Sequence, residues 1–194
     1  TVSLKWLTTG SKTMQVNYTD VNSCTAATNQ NTTGTVNALP TVTITKAETS
    51  GTANNDATIC KGATITLSGG GASTYSWTGG ISDGVIFSPT TTTTYTITGT
   101  AAHGCLNTAT SVVTVLSLPI VTVNSPSICN GTSTTLTANG ANTYSWSPST
   151  GLSATTGASV SANPTTTTTY TITGTVANGC LNTATATVTV LPLP

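Results

Sequence analysis

The sequence predicts an all-β protein of tandem antiparallel β-sandwiches. Three observations carry the prediction: a segment that occurs twice, apolar residues at a period of two, and turn residues between the apolar runs. Residues Pro119 to Pro194 repeat Pro40 to Pro119. Ile59-Cys60-Lys61-Gly62 and Thr74-Tyr75-Ser76-Trp77 recur as Ile128-Cys129-Asn130-Gly131 and Thr143-Tyr144-Ser145-Trp146, with 17 residues from Cys to Trp in both copies. Pro89 with Thr90 to Thr94 and Tyr95-Thr96-Ile97-Thr98-Gly99-Thr100 recurs as Pro164 with Thr165 to Thr169 and Tyr170-Thr171-Ile172-Thr173-Gly174-Thr175. Each tyrosine stands 10 residues before a cysteine, Cys105 or Cys180, in Gly-Cys-Leu-Asn-Thr-Ala-Thr. The copies differ by six residues between Trp and Tyr and by ten between the opening proline and the first cysteine, which reads as loop insertion. Self-similarity at a fixed period is the mark of a repeat architecture.

Within each copy Ala63, Ile65 and Leu67 alternate with Thr64, Thr66 and Ser68, and Ala184, Ala186, Val188 and Val190 with Thr185, Thr187 and Thr189. Such runs turn one face inward and a hydroxyl face outward. Between them lie Gly69-Gly70-Gly71, Gly79-Gly80, Ser88-Pro89, His103-Gly104, Asn139-Gly140 and Asn178-Gly179, which are turn residues. Six or seven short strands per copy describe a two-sheet sandwich. Lettered as in immunoglobulin-like folds, Val42 to Ile44 is A, Ala63 to Leu67 B, Tyr75 to Trp77 C, Val85 to Phe87 E, Thr94 to Gly99 F and Ala109 to Val115 G. The expected domains are 40–118 and 119–194. Residues 1–39 read as the C-terminal part of a truncated module, because Met14 to Cys24 repeats the spacing of Tyr95 to Cys105.

The inward set of the second copy is Val121, Val123, Leu136, Tyr144, Trp146, Val160, Tyr170, Ile172, Val188 and Val190; Trp77 and Tyr95 are core residues of the first. That core is thin for some 75 residues, so a covalent staple is expected. Cys60 precedes strand B and Cys105 follows the turn after F, places read as neighbours at one end of a sandwich. The expected bonds are therefore Cys60–Cys105 and Cys129–Cys180, one within each domain. Closing loops of about 45 to 51 residues would contribute roughly 4 kcal/mol. Cys24 is unpaired in this chain, with a mate expected upstream or a free thiol as the alternative. A zinc site needs four good ligands, and each copy offers two cysteines. Disulfides imply an oxidising or extracellular setting.

Charged residues are 4% of the chain, arginine is absent and threonine supplies 52 of 194 residues. With four lysines there is no basic patch, so neither nucleic acid nor direct membrane insertion is expected. Four acidic residues are too few for calcium cages. No cofactor, metal or catalytic residue is expected. His103 is the single histidine and Asn178 replaces it in the other copy, while Asp20, Asp56, Asp83 and Glu48 are isolated and read as solvated loop groups. Thr94, Thr96, Thr98 and Thr100 form an outward hydroxyl row, a candidate surface contact.

The string Ile-Cys-x-Gly, Thr-Tyr-Ser-Trp, the threonine run before Tyr-Thr-Ile-Thr-Gly-Thr, and Asn-Gly-Cys resembles the Ig-like and PKD-like tandem repeats of giant secreted surface proteins of Bacteroidota. The resemblance covers nearly all of residues 41–194. It implies a non-enzymatic stalk of many modules in a cell-surface or secreted adhesin, of the gliding-motility type and exported by type IX secretion. The partners it implies are neighbouring repeats of the same polypeptide, with secretion machinery, surface glycans and other copies as further candidates. Two other readings remain: a carbohydrate- or protein-binding module using loops such as Thr78 to Gly84 or Ser147 to Gly157, and a self-associating extracellular filament subunit.

Overall fold

The computed structural model describes residues 8–16, 30–51 and 53–193. The chain divides into two compact units, one of Thr1–Ile44, Gly69–Asp83 and Thr96–Thr110, the other of Thr45–Ser68, Gly84–Tyr95 and Ser111–Pro194. Among the described residues every regular element is a strand. In the first unit β1 (Gly10–Val16) and β2 (Gln30–Val36) form a two-stranded antiparallel sheet, with Gly10 opposite Val36. Cys24 and Asp20 lie outside the described residues.

The first copy of the repeat supplies β3 (Thr43–Ala47), β4 (Thr58–Cys60), β5 (Ile65–Gly70), β6 (Thr74–Trp77), β7 (Ile86–Phe87), β8 (Thr93–Thr100) and β9 (Leu106–Leu116). The second supplies β10 (Thr122–Val123), β11 (Ser127–Cys129), β12 (Thr134–Asn139), β13 (Thr143–Ser147), β14 (Ser159–Ala162), β15 (Thr168–Thr175) and β16 (Leu181–Leu191). Sheet orders β3-β5-β7 and β4-β9-β8-β6 recur as β10-β12-β14 and β11-β16-β15-β13. The cysteine-bearing strands β4 and β11, absent from the sequence reading, pair parallel to the ends of β9 and β16.

The second copy lies wholly in the second unit, and its two sheets close on one core. Leu136, Ala138, Val160 and Ala162 enter from the three-stranded sheet; Ile128, Tyr144, Trp146, Tyr170, Ile172, Ala186 and Val188 enter from the four-stranded one. Val121, Val123 and Val190 pack at its margin, partly buried. Aligned alternation on facing sheets is what makes a β-sandwich. Gly174 sits opposite Tyr144 because a Cβ there would lie 2.6 Å from Val121 Cγ2 and 2.8 Å from Ala141 Cβ. That space lets the Tyr144 hydroxyl donate to the Ala141 carbonyl at 2.9 Å. Gly99, Val42, Ala72 and Tyr75 repeat the arrangement in the first unit.

Tyr95 and Tyr170 are buried and Trp146 is 3% exposed. Trp77 departs from the expected core set: it is half-buried, its indole nitrogen donating to Asp83 Oδ1 at 3.0 Å. The stretch from Trp77 to β7 is shorter than that from Trp146 to β14, in which Gly157 accepts from Trp146 Nε1.

Candidate functional site

The joint between the two copies runs from Leu116 through Pro119, and it is held at three points. β4 brings Cys60 opposite Leu116, and the amide of Lys61 donates to the Leu116 carbonyl at 2.8 Å. Pro119 is buried, and Asn182 Nδ2 donates to its carbonyl at 3.0 Å. Proline fixes its own φ, so a hydrogen-bonded proline carbonyl leaves the joint little rotation. Between these two anchors a disulfide joins Cys60 to Cys180, with Cα atoms 5.5 Å apart and a sequence separation of 120.

This corrects the expected pairing. The bonds Cys60–Cys105 and Cys129–Cys180 are not formed, and the single disulfide among the described residues joins one copy to the other rather than lying within a domain. The reason is register. Cys129 faces Leu191 at the far end of β16, while Cys180 immediately precedes Leu181 at its start. Eleven extended residues separate them by roughly 35 Å, far beyond disulfide reach. The first copy has the same strand register, with Cys60 opposite Leu116 and β9 beginning at Leu106. Cys105 and Cys129 are free thiols, half-buried and exposed respectively.

The ten-residue insertion of the first copy buttresses the bond. Glu48, expected as a solvated group, is 5% exposed; its carboxylate accepts from the amides of Ser50 at 3.2 Å and Asp56 at 2.9 Å. A buried carboxylate satisfied by backbone N–H groups fixes the loop around it. Ser50 Oγ in turn accepts from the Cys60 amide at 3.2 Å. The loop thereby sets Gly51 against Gly179: a Cβ on Gly179 would stand 2.5 Å from the Gly51 carbonyl oxygen. With φ of 80° as well, Gly179 is required twice over.

Among the described residues no group of three or more His, Cys, Asp or Glu side chains converges on one point, and His103 is exposed in its turn. In the second copy a cleft of about 510 Å³ is lined by residues that include Thr143, Tyr144, Ser145, Thr156, Ala158 and Thr173. Tyr144 is one of the lining residues but is 7% exposed. Of the candidate threonine row, Thr94 is exposed and Thr96, Thr98 and Thr100 are half-buried. The equivalent strand of the second copy extends the pattern across β15 and β16, with Thr171 opposite Thr185, Thr173 opposite Thr183, and the Thr169 and Thr187 hydroxyls 2.9 Å apart.

No family model matches the chain, and no curated protein matches it in sequence. Among solved structures it is similar to a Ca2+-stabilised adhesin that helps an Antarctic bacterium reach out and bind ice, at 16% identity and TM-score 0.39, covering 94% of this chain and 57% of that one. It is also similar to extracellular cadherin domains 3–6 of protocadherin gamma B2, at 11% identity and TM-score 0.28, over 93% of this chain and 57% of that one. A third likeness, at 17% identity and TM-score 0.20, is to a mixed-linkage glucan binding protein of Bacteroides ovatus, over 96% of this chain and 55% of that one. The chain thus spans a little over half the length of each.

Proposed function

We propose that the chain is a non-enzymatic stalk segment of a large extracellular or cell-surface bacterial adhesin. In this reading residues 40–118 and 119–194 are successive immunoglobulin-like modules, preceded by part of another over 1–39, and their task is spacing and load bearing. The observation that carries it is the Cys60–Cys180 bond across the Pro119 joint. A crosslink there does little for catalysis or ligand capture, but it changes how the chain bears tension. Force entering near Cys60 passes through the sulfurs to Cys180, so the intervening residues leave the load path. By loop-closure entropy the 120-residue separation also contributes about 5 kcal/mol against the unfolded chain. The low charge and outward threonines suit an exposed, hydrated surface. The resemblance to Bacteroidota repeats adds type IX export and gliding-type adhesion to the proposal.

Single-molecule pulling between the termini tests it. In oxidising buffer residues 61–179 should never extend; in reductant they should add roughly 400 Å of contour. Equal contour in both buffers would refute the load-bearing reading. The cleft beside Ser145 and Thr173, where polar threonine and serine residues stand among apolar ones, favours one second reading, a glycan contact. A glycan array probed with the full chain distinguishes it from a plain stalk.

A further inference from the structure

We infer that Cys129 and Cys105 are the two unspent halves of the same staple, so that the repeats are linked to their neighbours by a ladder of disulfides. The opening cysteine of each repeat bonds the hairpin cysteine of the repeat that adjoins its C-terminal side. This deepens the stalk reading and rests on it for the presence of adjoining repeats.

Each free thiol shares its backbone geometry with a bonded one. Cys129 faces Leu191 as Cys60 faces Leu116, in the same parallel pairing. The amide of Asn130 donates to the Leu191 carbonyl at 3.1 Å, as Lys61 does to Leu116 at 2.8 Å. Gly131 and Gly62 turn the chain after the cysteine with the same φ of 88°. On the other half, Cys105 closes its hairpin to Ala101 at 2.9 Å as Cys180 does to Val176 at 3.0 Å. Gly104 and Gly179 have φ of 81° and 80°. Asn107 Nδ2 holds the Pro40 carbonyl at 2.9 Å as Asn182 holds Pro119. The two sites differ in occupancy, since Gly179 meets Gly51 whereas nothing stands within 4 Å of a Cβ on Gly104, and in two side-chain contacts made by the bonded cysteines alone, Cys60 to Ser50 and Cys180 to Asn178. Within one molecule, then, an opening cysteine and a hairpin cysteine of adjoining repeats are seen bonded, and one more of each stands in the same backbone frame. The second copy lacks the Glu48 loop, so the ladder depends on strand register rather than on that buttress.

Each rung forms by oxidation of two thiols. Both sulfurs lose a proton and together give two electrons to a disulfide oxidant such as oxidised glutathione, which departs as two thiols.

The test is the full chain prolonged after Pro194 by a second copy of residues 120–194, so that Pro194 takes the place of Pro119 at the new joint, refolded in a glutathione redox buffer and mapped by non-reducing proteolysis and mass spectrometry. Cys129 should be found bonded to the added hairpin cysteine and should lose its reactivity to maleimide, with Cys60–Cys180 present as the internal measure of a folded junction. Changing the added hairpin cysteine to serine should restore full labelling of Cys129 and leave Cys60–Cys180 intact. Cys129 remaining reactive in the prolonged chain, or bonded to the hairpin cysteine of its own repeat, would overturn the ladder. Because the map does not depend on stiffness or contour length, its failure is distinguishable from failure of the stalk reading in the pulling experiment.

Discussion

The two copies share sheet order, strand register and turn geometry, and differ in where each carries extra chain. The first has ten more residues before its opening cysteine; the second has six more between tryptophan and tyrosine. Each insertion serves a different part of its copy. In the first, the Glu48 loop leads to Cys60 and supports the joint. In the second, the segment after Ser147 folds over the core: Trp146 Nε1 donates to Gly157 at 2.8 Å, Leu152 packs on the apolar cluster, and the Tyr170 hydroxyl donates to Thr150 at 2.7 Å. One frame therefore tolerates additions at either end. Added chain at one place supports a junction that strand register makes, and at the other it packs on a core.

The sharpest way to break this comparison is at the tryptophans. Trp146→Ala removes a side chain that is 3% exposed and should cost about 3–5 kcal/mol. Trp77→Ala, at a half-buried site, should cost roughly 1–2 kcal/mol. Urea unfolding followed by circular dichroism measures both, and equal losses would mean that the second insertion seals nothing.

Alternation and turn residues were enough to read the sheets and most of the second copy's core, because burial on one face of a strand imposes a period of two. Seven of the ten inward positions named for that copy are buried and the other three lie at its margin. The cysteine pairing was not legible. Cys60–Cys105 with Cys129–Cys180 and the observed Cys60–Cys180 fit the same repeat spacing, and what separates them is β4 and β11. Those strands are Thr58-Ile59-Cys60 and Ser127-Ile128-Cys129, three residues each, too short to show a period and paired parallel to a strand distant in sequence. Glu48 was misread for a related reason. Its partners are backbone amides within its own loop, and a sequence carries no mark of which amides a carboxylate will meet.

Next in expected size is a matched glycine pair that isolates the junction. Gly104→Ala and Gly179→Ala both place a side chain at φ near 80°, which costs about 1–2 kcal/mol. Only the second also drives a Cβ into the Gly51 backbone. Thiol labelling without reductant should find Cys60 and Cys180 newly reactive in Gly179→Ala and protected in Gly104→Ala. Protection in both would show that the close approach at Gly51 is incidental to the bond.

Glu48→Ala tests the buttress from the other side. It strips two amides, Ser50 and Asp56, of their acceptor inside a buried loop, for a loss of about 2 kcal/mol. The Cys60–Cys180 bond should become easier to reduce with dithiothreitol, while urea stability of the second copy stays unchanged. A change of equal size in the second copy would mean that the loop acts on the whole second unit rather than on the joint.

The smallest effect concerns the equivalent tyrosines of β8 and β15. Tyr95 meets Phe87 edge to face at 5.2 Å, so its ring makes the contact and Tyr95→Phe should shift stability by only a few tenths of a kcal/mol. Tyr170 is fully buried and its hydroxyl donates to the Thr150 carbonyl, so Tyr170→Phe should cost about 1 kcal/mol. Burial also pushes the Tyr170 phenol above its ordinary value of 10.0, with the nearby Thr168 side chain opposing the shift. A group whose folded pKa is raised stabilises the fold fully below its unfolded pKa, and that contribution is lost as pH rises through the folded value. Native stability should thus decline above about pH 10 as the unfolded chain ionises first. In Tyr170→Phe this part of the decline should disappear, so the native and variant unfolding curves should converge as pH is raised from neutral. Parallel curves would mean that the phenol ionises alike in both states and that the second insertion does not exclude water from it.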